Sequence, residues 1–425
     1  MNNINSETVP SLGGPFQSFF NMFNFNINSS AESSGLLGKI NIDFTGLDII
    51  IVLLIIIAVA SFGAYQFLTF KKDEMIKARK GTLFQIKPGL EVTYKKSEKK
   101  IRMVRLLETF VSTAGSWWEM LQIVEPTYSF EIHANGIGGY GTYIWVPEDE
   151  IKHLPAKMRS LYEQPDTVNN EDEPMASLLE KIADEKGYSK VDGFLTAEYQ
   201  GSGLGYMPIR EWTPDKGEPD DPMEQIYGIF DGLRGNNIAG MMVIVKPTDG
   251  SWRNKGLEAI QNLEYDMPKK KGWLASAFSA PSPENNSAPR KKQLDTFGKA
   301  QIAALTEKIR QDGFSVVIRI YSSDETTFQL LSNALEKRFK GEYNQLVKTN
   351  SNVSIEEMKL RWFEKSNLIL SLGEISSIYH FADSETKAER LQRGGSSTAA
   401  PDENLFTFKD EDYDPFKEVS AFSER

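Results

Sequence analysis

Residues 128–147, with the sequence YSFEIHANGIGGYGTYIWVP, predict two β-strands joined by a tight turn. Polar and apolar residues alternate on both sides of the glycine-rich segment GIGGY, which is typical of strands that turn one face towards a core. Glycine readily adopts the backbone conformations that a short antiparallel connection requires. We therefore expect a β-hairpin at this point of the chain.

Helical patterns flank the predicted hairpin. Residues 103–125 place apolar side chains at helical spacing, and residues 147–164 open with a proline and acidic residues, as the first turn of a helix often does. A helix, two strands and a second helix make up half of a ferredoxin-like module. The fold class that we predict is therefore α+β.

Two ferredoxin-like modules are expected, each a sandwich of helices on a sheet. The second has a helix-strand-helix-strand order from residue 293 onwards and ends in NLILSLGEISSIYHFAD at 367–383. In the first, the apolar segment 238–247 is suited to the middle of a sheet. The other elements predicted after the hairpin are strands at 194–201 and 205–212 and a helix at 221–235.

Residues 47–70 form a long apolar run, LDIIIVLLIIIAVASFGAYQFLTF, in which Asp48 is the only charged residue. At about 1.5 Å per residue, such a helix spans the ~30 Å hydrocarbon core of a bilayer. One alternative is a buried core helix, but those are rarely apolar on every face. The other is a signal peptide, which would begin nearer the start of the chain. We therefore predict one transmembrane helix.

Basic residues crowd the C-terminal flank of this run, whereas Lys39 alone precedes it. The positive-inside rule then places the bulk of the chain in the cytoplasm, as a single-pass protein of the cell (inner) membrane. The residues assigned to this topology are Lys71, Lys72, Lys77, Arg79 and Lys80.

Residues 266–292 are rich in proline, serine and asparagine and are predicted to be a linker. Its basic residues are candidates for contact with DNA or anionic lipid, and a solvated basic linker is the alternative. These residues are Lys269, Lys270, Lys271, Arg290, Lys291 and Lys292.

Both ends of the chain are predicted to be disordered. The N-terminal tail contains PFQSFFNMFNF at 15–25, whose phenylalanines either rest in the membrane interface or form a sticky patch. From residue 384 the chain is acidic and lacks periodicity. Its aromatic residues among carboxylates are candidates for partner docking: Phe406, Phe408, Tyr413 and Phe416.

These features divide the chain into seven segments. In order they are an extracytoplasmic tail (1–46), the transmembrane helix (47–70), a basic juxtamembrane segment (71–100), the first module (101–265), the linker (266–292), the second module (293–383) and the acidic tail (384–425).

The composition and the absent motifs limit the kinds of binding and catalysis that we expect of the chain. A net charge of −11 argues against binding nucleic acid over the whole surface, and the absence of cysteine excludes thiolate metal sites. The sequence has no P-loop motif, and the glycine pattern at 201–208 meets a proline instead of the helix that a dinucleotide site needs. His133 and His153 are expected to be structural. We predict no catalytic, cofactor or metal residues, and hence no enzyme.

Three blocks of the chain together resemble a known family. They are 129–164, then DPMEQIYGIFDGLRGNNIAGMMVIVKPTDGSWRNKG at 221–256, then LSLGEISSIYHFAD at 370–383. Their motifs and order resemble the region that precedes the ATPase in membrane-anchored type IV secretion coupling proteins. The likeness covers roughly residues 104–383. The chain departs from the family pattern at Ile375, where leucine is usual, and at Ala382, where proline is usual.

In that family the Tyr-His-Phe segment leads into a P-loop motor domain, which this sequence lacks. The resemblance implies a scaffold that positions a separately encoded, DNA-translocating ATPase in a conjugative, type IV secretion-like apparatus. The implied partners are membrane lipid, that ATPase, other secretion subunits and a second copy of the chain, with nucleic-acid contact left open. The alternatives are a single-pass receptor or adaptor with a ligand-binding domain, and a membrane-tethered hydrolase with an unrecognised site.

Overall fold

The computed structural model describes residues 46–111, 126–163, 165–170, 194–214, 220–266, 290–349 and 353–394. The chain divides into two compact units, Met1–Gln66 and Phe67–Arg425. In the first unit, the described part is the beginning of helix α1. The larger unit contains the sheet and the remaining described helices.

Helix α1 is Gly46–Lys77 and contains the apolar run. Its large apolar side chains that are exposed are Leu54, Ile57, Val59, Phe62, Tyr65, Phe67 and Phe70. At about 100° per residue these positions are distributed around the whole circumference of the helix. Counted over the described residues alone, no helix is long and apolar enough to cross a membrane.

A nine-stranded antiparallel sheet forms the centre of the larger unit, as far as the structure describes it. The strand order is β10-β5-β9-β6-β2-β3-β1-β4, and β11 pairs with β9 beyond the end of β5. The strands are β1 Gly81–Lys87, β2 Tyr128–Asn135, β3 Gly139–Pro147, β4 Asp166–Asn170, β5 Leu195–Gly201, β6 Ile238–Pro247, β9 Gly313–Ser322, β10 Leu346–Lys348 and β11 Ile369–Ser371. A separate two-stranded ribbon consists of β7 Tyr265–Asp266 and β8 Arg290–Lys291.

Eight further described helices belong to the larger unit. They are α2 Lys96–Glu108, α3 Leu154–Leu161, α4 Pro222–Gly232, α5 Ser251–Glu264, α6 Thr296–Arg310, α7 Glu325–Arg338, α8 Ile355–Leu360 and α9 Leu372–Ile378. Helices α2, α4, α7 and α9 bury apolar side chains in the largest core, together with alternate residues of the strands such as Phe130 and Val243. A smaller core contains the intervening strand residues Met242 and Val317 and the α8 residue Met358.

The α+β class and the hairpin of β2 and β3 are confirmed. The two expected modules differ from the structure because they share one sheet. Strand β9 pairs with β6 and with β5, which we had assigned to the first module. The physical reason lies in β6: because it is buried, the backbone N–H and C=O groups along both of its edges need hydrogen-bond partners, which β2 and β9 supply.

Some local predictions also differ from the structure. Residues 205–212 were predicted as a strand but form none, because side chains occupy backbone donors there: Ile209 N donates to Glu374 and Trp212 N to Ser377. Helix α2 begins earlier than expected, at Lys96, and ends at Glu108. Residues 112–125 lie outside the described residues.

A third difference between prediction and structure concerns the chain after residue 383. Residues 384–394, here called the C-terminal segment, were expected to be disordered but contact the hairpin. Tyr140 N donates to the Arg390 carbonyl at 3.1 Å, and Gln392 N donates to the Tyr140 carbonyl at 2.8 Å. Asp231 on α4 also accepts from the backbone N of Arg390 at 2.8 Å. These hydrogen bonds order the segment despite its lack of periodicity.

Candidate functional site

Two sequence motifs, the Asp-Pro pair at 221–222 and the Tyr-His-Phe segment at 379–381, meet in one place. Asp221, in the Asp-Pro pair, precedes α4, and its Oδ1 accepts from the backbone N of Met223 at 2.8 Å as a helix cap does. Its second oxygen, Oδ2, lies 2.9 Å from Nε2 of His380 in the Tyr-His-Phe segment. Both side chains are almost fully buried. We call Trp212, Asp221, Tyr227 and His380 the motif junction.

The remaining contacts of the junction hold the His380 ring from several sides. Nδ1 lies 2.9 Å from the Ser376 carbonyl, and the Trp212 ring is stacked at 5.3 Å with an interplanar angle of 13°. The Tyr227 hydroxyl donates to the His380 carbonyl at 2.8 Å. Both ring nitrogens of His380 therefore lie within hydrogen-bond distance of an oxygen acceptor. Burial raises the pKa of Asp221, but His380 outweighs this and holds it below its usual range.

A second buried ion pair fixes the chain directly after the Tyr-His-Phe segment. Lys99 on α2 lies 2.8 Å from Asp383 Oδ1, and Asp383 Oδ2 accepts from Tyr94 N at 2.9 Å. Burial raises the pKa of Asp383, while hydrogen bonds from Lys99 and Thr386 lower it below its usual range. The junction and this ion pair together connect α2, α4 and the chain at 380–383.

A polar cluster lies on the opposite face of the sheet, because Glu131 and His133 alternate with the apolar core residues of β2. Arg361 donates to Glu131 through Nε at 2.6 Å and through Nη2 at 3.1 Å. His133 contacts Glu131 at 2.6 Å and the Tyr321 hydroxyl at 2.7 Å. Burial raises the pKa of Glu131, but Arg361 and His133 hold it well below its usual range.

A basic cavity of about 360 Å³ lies next to this cluster. Its lining includes Arg79, Thr82, Asn169, Lys359 and Arg361. Burial, and secondly the charge of Arg361, lowers the pKa of Arg79 to about 10. Such a lining attracts anions. Among the described residues, no group of His, Asp and Glu could hold a metal ion.

The basic residues assigned to the membrane topology differ in their burial. Lys77 and Lys80 are exposed, whereas Arg79 is half-buried, donates to Thr127 and lies over the Trp145 ring at 4.9 Å. The side chains of Lys71 and Lys72 lie outside the described residues. Arg79 therefore contributes to the larger unit in addition to the basic flank.

The candidate contact and docking residues are only partly described. Arg290, Lys291 and Lys292 are exposed, and Lys292 donates to the Asn262 carbonyl at 2.9 Å. The other proposed DNA or lipid contacts (Lys269, Lys270, Lys271) and the proposed docking aromatics (Phe406, Phe408, Tyr413, Phe416) lie outside the described residues. The described members of these sets, Arg290, Lys291 and Lys292, do not line the basic cavity.

Sequence reasoning missed Glu131 and Arg361. Glu131 occupies a polar position of an alternating strand, which is ordinarily a solvent position. Arg361 follows α8 with a left-handed φ of 48°, the one positive φ among the described non-glycine residues. The available signal was a glutamate and a histidine two residues apart on one predicted strand. Nothing in the neighbouring sequence indicates that an arginine is their partner.

No protein-family model and no curated protein matches the chain. Among solved structures, the chain matches 6-hydroxy-D-nicotine oxidase from Arthrobacter nicotinovorans, with 12% identity and a TM-score of 0.25. The match covers 66% of this chain and 48% of the oxidase, so the chain spans about half the length of that protein. A likeness this low carries no argument about fold or activity.

The expectation that the chain is not an enzyme does not stand, although a match at a TM-score of 0.25 assigns no activity. That expectation depended on missing motifs, and missing motifs exclude only the reactions whose motifs were sought. We withdraw it. The match assigns no reaction to this chain either.

Proposed function

We propose that the chain is a membrane-anchored platform subunit of a conjugative, type IV secretion-like apparatus. In this role it positions a separately encoded, DNA-translocating P-loop ATPase on the cytoplasmic side. Helix α1 is the single transmembrane anchor, and the larger unit, with its helices packed on one antiparallel sheet, is the platform.

The exposed apolar residues of α1 support the membrane anchor. Between residues 54 and 70 the sequence contains no charged residue, and seven large side chains distributed around the helix are exposed. In water this surface would be costly, at roughly 25 cal/mol per Å² of apolar area. A bilayer removes the cost, since it surrounds a helix with hydrocarbon on every side. The exposed Lys77 and Lys80 then mark the cytoplasmic end.

The motif junction is the single observation that carries the platform role. Its Asp-Pro and Tyr-His-Phe motifs are far apart in the sequence, and we identified them by resemblance alone. The Asp221–His380 pair makes them one structural unit. A platform has to hold the segment after His380 in a fixed direction if that segment is to contact a motor. We expect a buried unit around His380 to do this.

Affinity purification of the tagged full chain from detergent-solubilised membranes of its own cells tests the proposal. We expect the chain in alkali-washed membranes, together with a P-loop ATPase that an untagged strain does not yield. Recovery of the chain in the soluble fraction would overturn the anchor. Recovery from membranes without a P-loop ATPase would overturn the platform role.

The second candidate is a single-pass receptor or adaptor that binds a ligand in its cytoplasmic domain, and the basic cavity favours it. The same purification separates the two, because an adaptor would yield partners without a P-loop ATPase.

A further inference from the structure

The basic cavity contains a half-buried cationic group with one buried, unsatisfied donor. Nη1 of Arg79 is buried and has no hydrogen-bond partner, while Nη2 donates to Thr127. The guanidinium lies 4.9 Å from the Trp145 ring centre and 5.2 Å from that of Trp362, and neither ring supplies a counter-charge. An unpaired buried donor is costly, and more so when it is charged.

The charges around the cavity do not balance. Arg361 is matched by Glu131, which it contacts with two nitrogens. Arg79 and Lys359 also line the cavity, and among the described lining residues there is no carboxylate. The cavity therefore has an excess of positive charge.

The backbone provides an independent observation. Arg361 has a φ of 48°, in the left-handed region, which is rare for a residue with a long side chain. Such strain is often stored where a side chain must be placed for function. Here it places the guanidinium between Glu131 and the cavity, and the 3.0 Å hydrogen bond from its Nη1 to the Lys359 carbonyl holds it in position.

We propose that this cavity binds a phosphate group, held by Arg79, Arg361 and Lys359. Guanidinium groups match the oxygens of a phosphate with paired hydrogen bonds, and the hydroxyl of Thr82 and the amide of Asn169 supply neutral donors. A volume of about 360 Å³ is within the ordinary range for small-ligand sites.

The phosphate has two sources, an anionic lipid headgroup or a soluble phosphate compound. The lipid source rests on the proposed membrane anchor, since Arg79 follows Phe70 closely in the sequence and a polybasic juxtamembrane region attracts anionic lipids. The soluble source does not depend on the anchor.

The test uses the full chain in nanodiscs and two probes. In neutral phosphatidylcholine discs, inorganic phosphate is titrated by calorimetry. In a second arm, the melting temperature is compared between neutral discs and discs with phosphatidylglycerol. The variants are Arg79→Gln and Lys359→Gln. Lys80→Gln is the matched control, because it removes an exposed charge beside Arg79 that does not line the cavity.

We expect Arg79→Gln and Lys359→Gln each to weaken phosphate binding about tenfold or more, and Lys80→Gln to change it less than twofold. Stabilisation by phosphatidylglycerol alone, abolished by the same two variants, identifies the lipid as the source. If Arg79→Gln does not fold, Lys359→Gln still tests the site. Absence of binding in both arms, or binding that the two variants leave unchanged, would overturn the site without affecting the ATPase test of the platform role.

Discussion

Asp221 Oδ2 lies 2.9 Å from His380 Nε2, although the two residues are 159 positions apart. The carboxylate also caps α4 through its other oxygen, so one side chain starts a helix and orients the segment that follows the last helix.

Asp221→Ala should destabilise the chain by about 3 kcal/mol, because it removes a helix cap and leaves His380 buried without its partner. The matched control is Asp295→Ala, since Asp295 caps α6 in the same way but is exposed and has no histidine partner. We expect the control to cost about 1 kcal/mol. Denaturant unfolding of the full chain in detergent, followed by circular dichroism, measures both. Equal losses would show that the junction adds nothing to the cap.

Acid should destabilise the protein through the same carboxylates. Aspartate in an unfolded chain titrates near pH 3.9, whereas the pKa values of Asp221 and Asp383 in the folded protein are lowered by His380 and by Lys99. Lowered folded-state pKa values stabilise the protein above about pH 4, and the stabilisation is lost as the pH falls through them. We expect the free energy of unfolding to fall below that pH. Asp383→Asn should reduce the slope of this fall, and an unchanged slope would refute the assignment.

The orientation of α1 gives a third prediction. A phosphatase reporter that is active only outside the cytoplasm, fused after Arg425, should be inactive, and a cytoplasmic fluorescent reporter at the same point should be bright. The excess of lysine after residue 70 is the reason. The opposite pattern would show that the C-terminal bulk of the chain lies outside the cytoplasm, on the side of the membrane away from the ATPase.

Deletion of residues 402–425 tests the docking aromatics Phe406, Phe408, Tyr413 and Phe416. Aromatic side chains anchor many interfaces, and neighbouring carboxylates speed the encounter with a basic surface. We expect the deletion to leave the melting temperature unchanged and to reduce recovery of an ATPase partner, more so at low salt, where charge attraction is least screened. Unchanged recovery at both salt concentrations would show that the tail does not dock.

Local patterns predicted much of the fold, and long-range pairing explains the rest. The hairpin of β2 and β3, the strand β6 and the helix α4 each follow from periodicity and capping within a few residues. The pairing of β9 with β6 and β5 depends on segments far apart, so the sequence pattern predicted two modules where one sheet exists.

The candidate sites were predictable to different degrees. The junction residues Asp221 and His380 belong to motifs that the sequence analysis quoted, although their contact was not foreseen. The cluster of Glu131 with Arg361 joins residues 230 positions apart, and its carboxylate lies where alternation indicates solvent. A buried polar face of a sheet gives the same sequence pattern as an exposed one, so burial had to come from the structure.

The platform role is tested most directly by cross-linking in intact cells with a lysine-reactive reagent. Lys387 is exposed on the C-terminal segment, close after the motif junction. The account predicts cross-links from Lys387 to a separately encoded P-loop ATPase, and their loss in Lys387→Arg while cross-links from other lysines persist. Cross-links from Lys387 to this chain alone, or only to proteins that lack a P-loop, would contradict it.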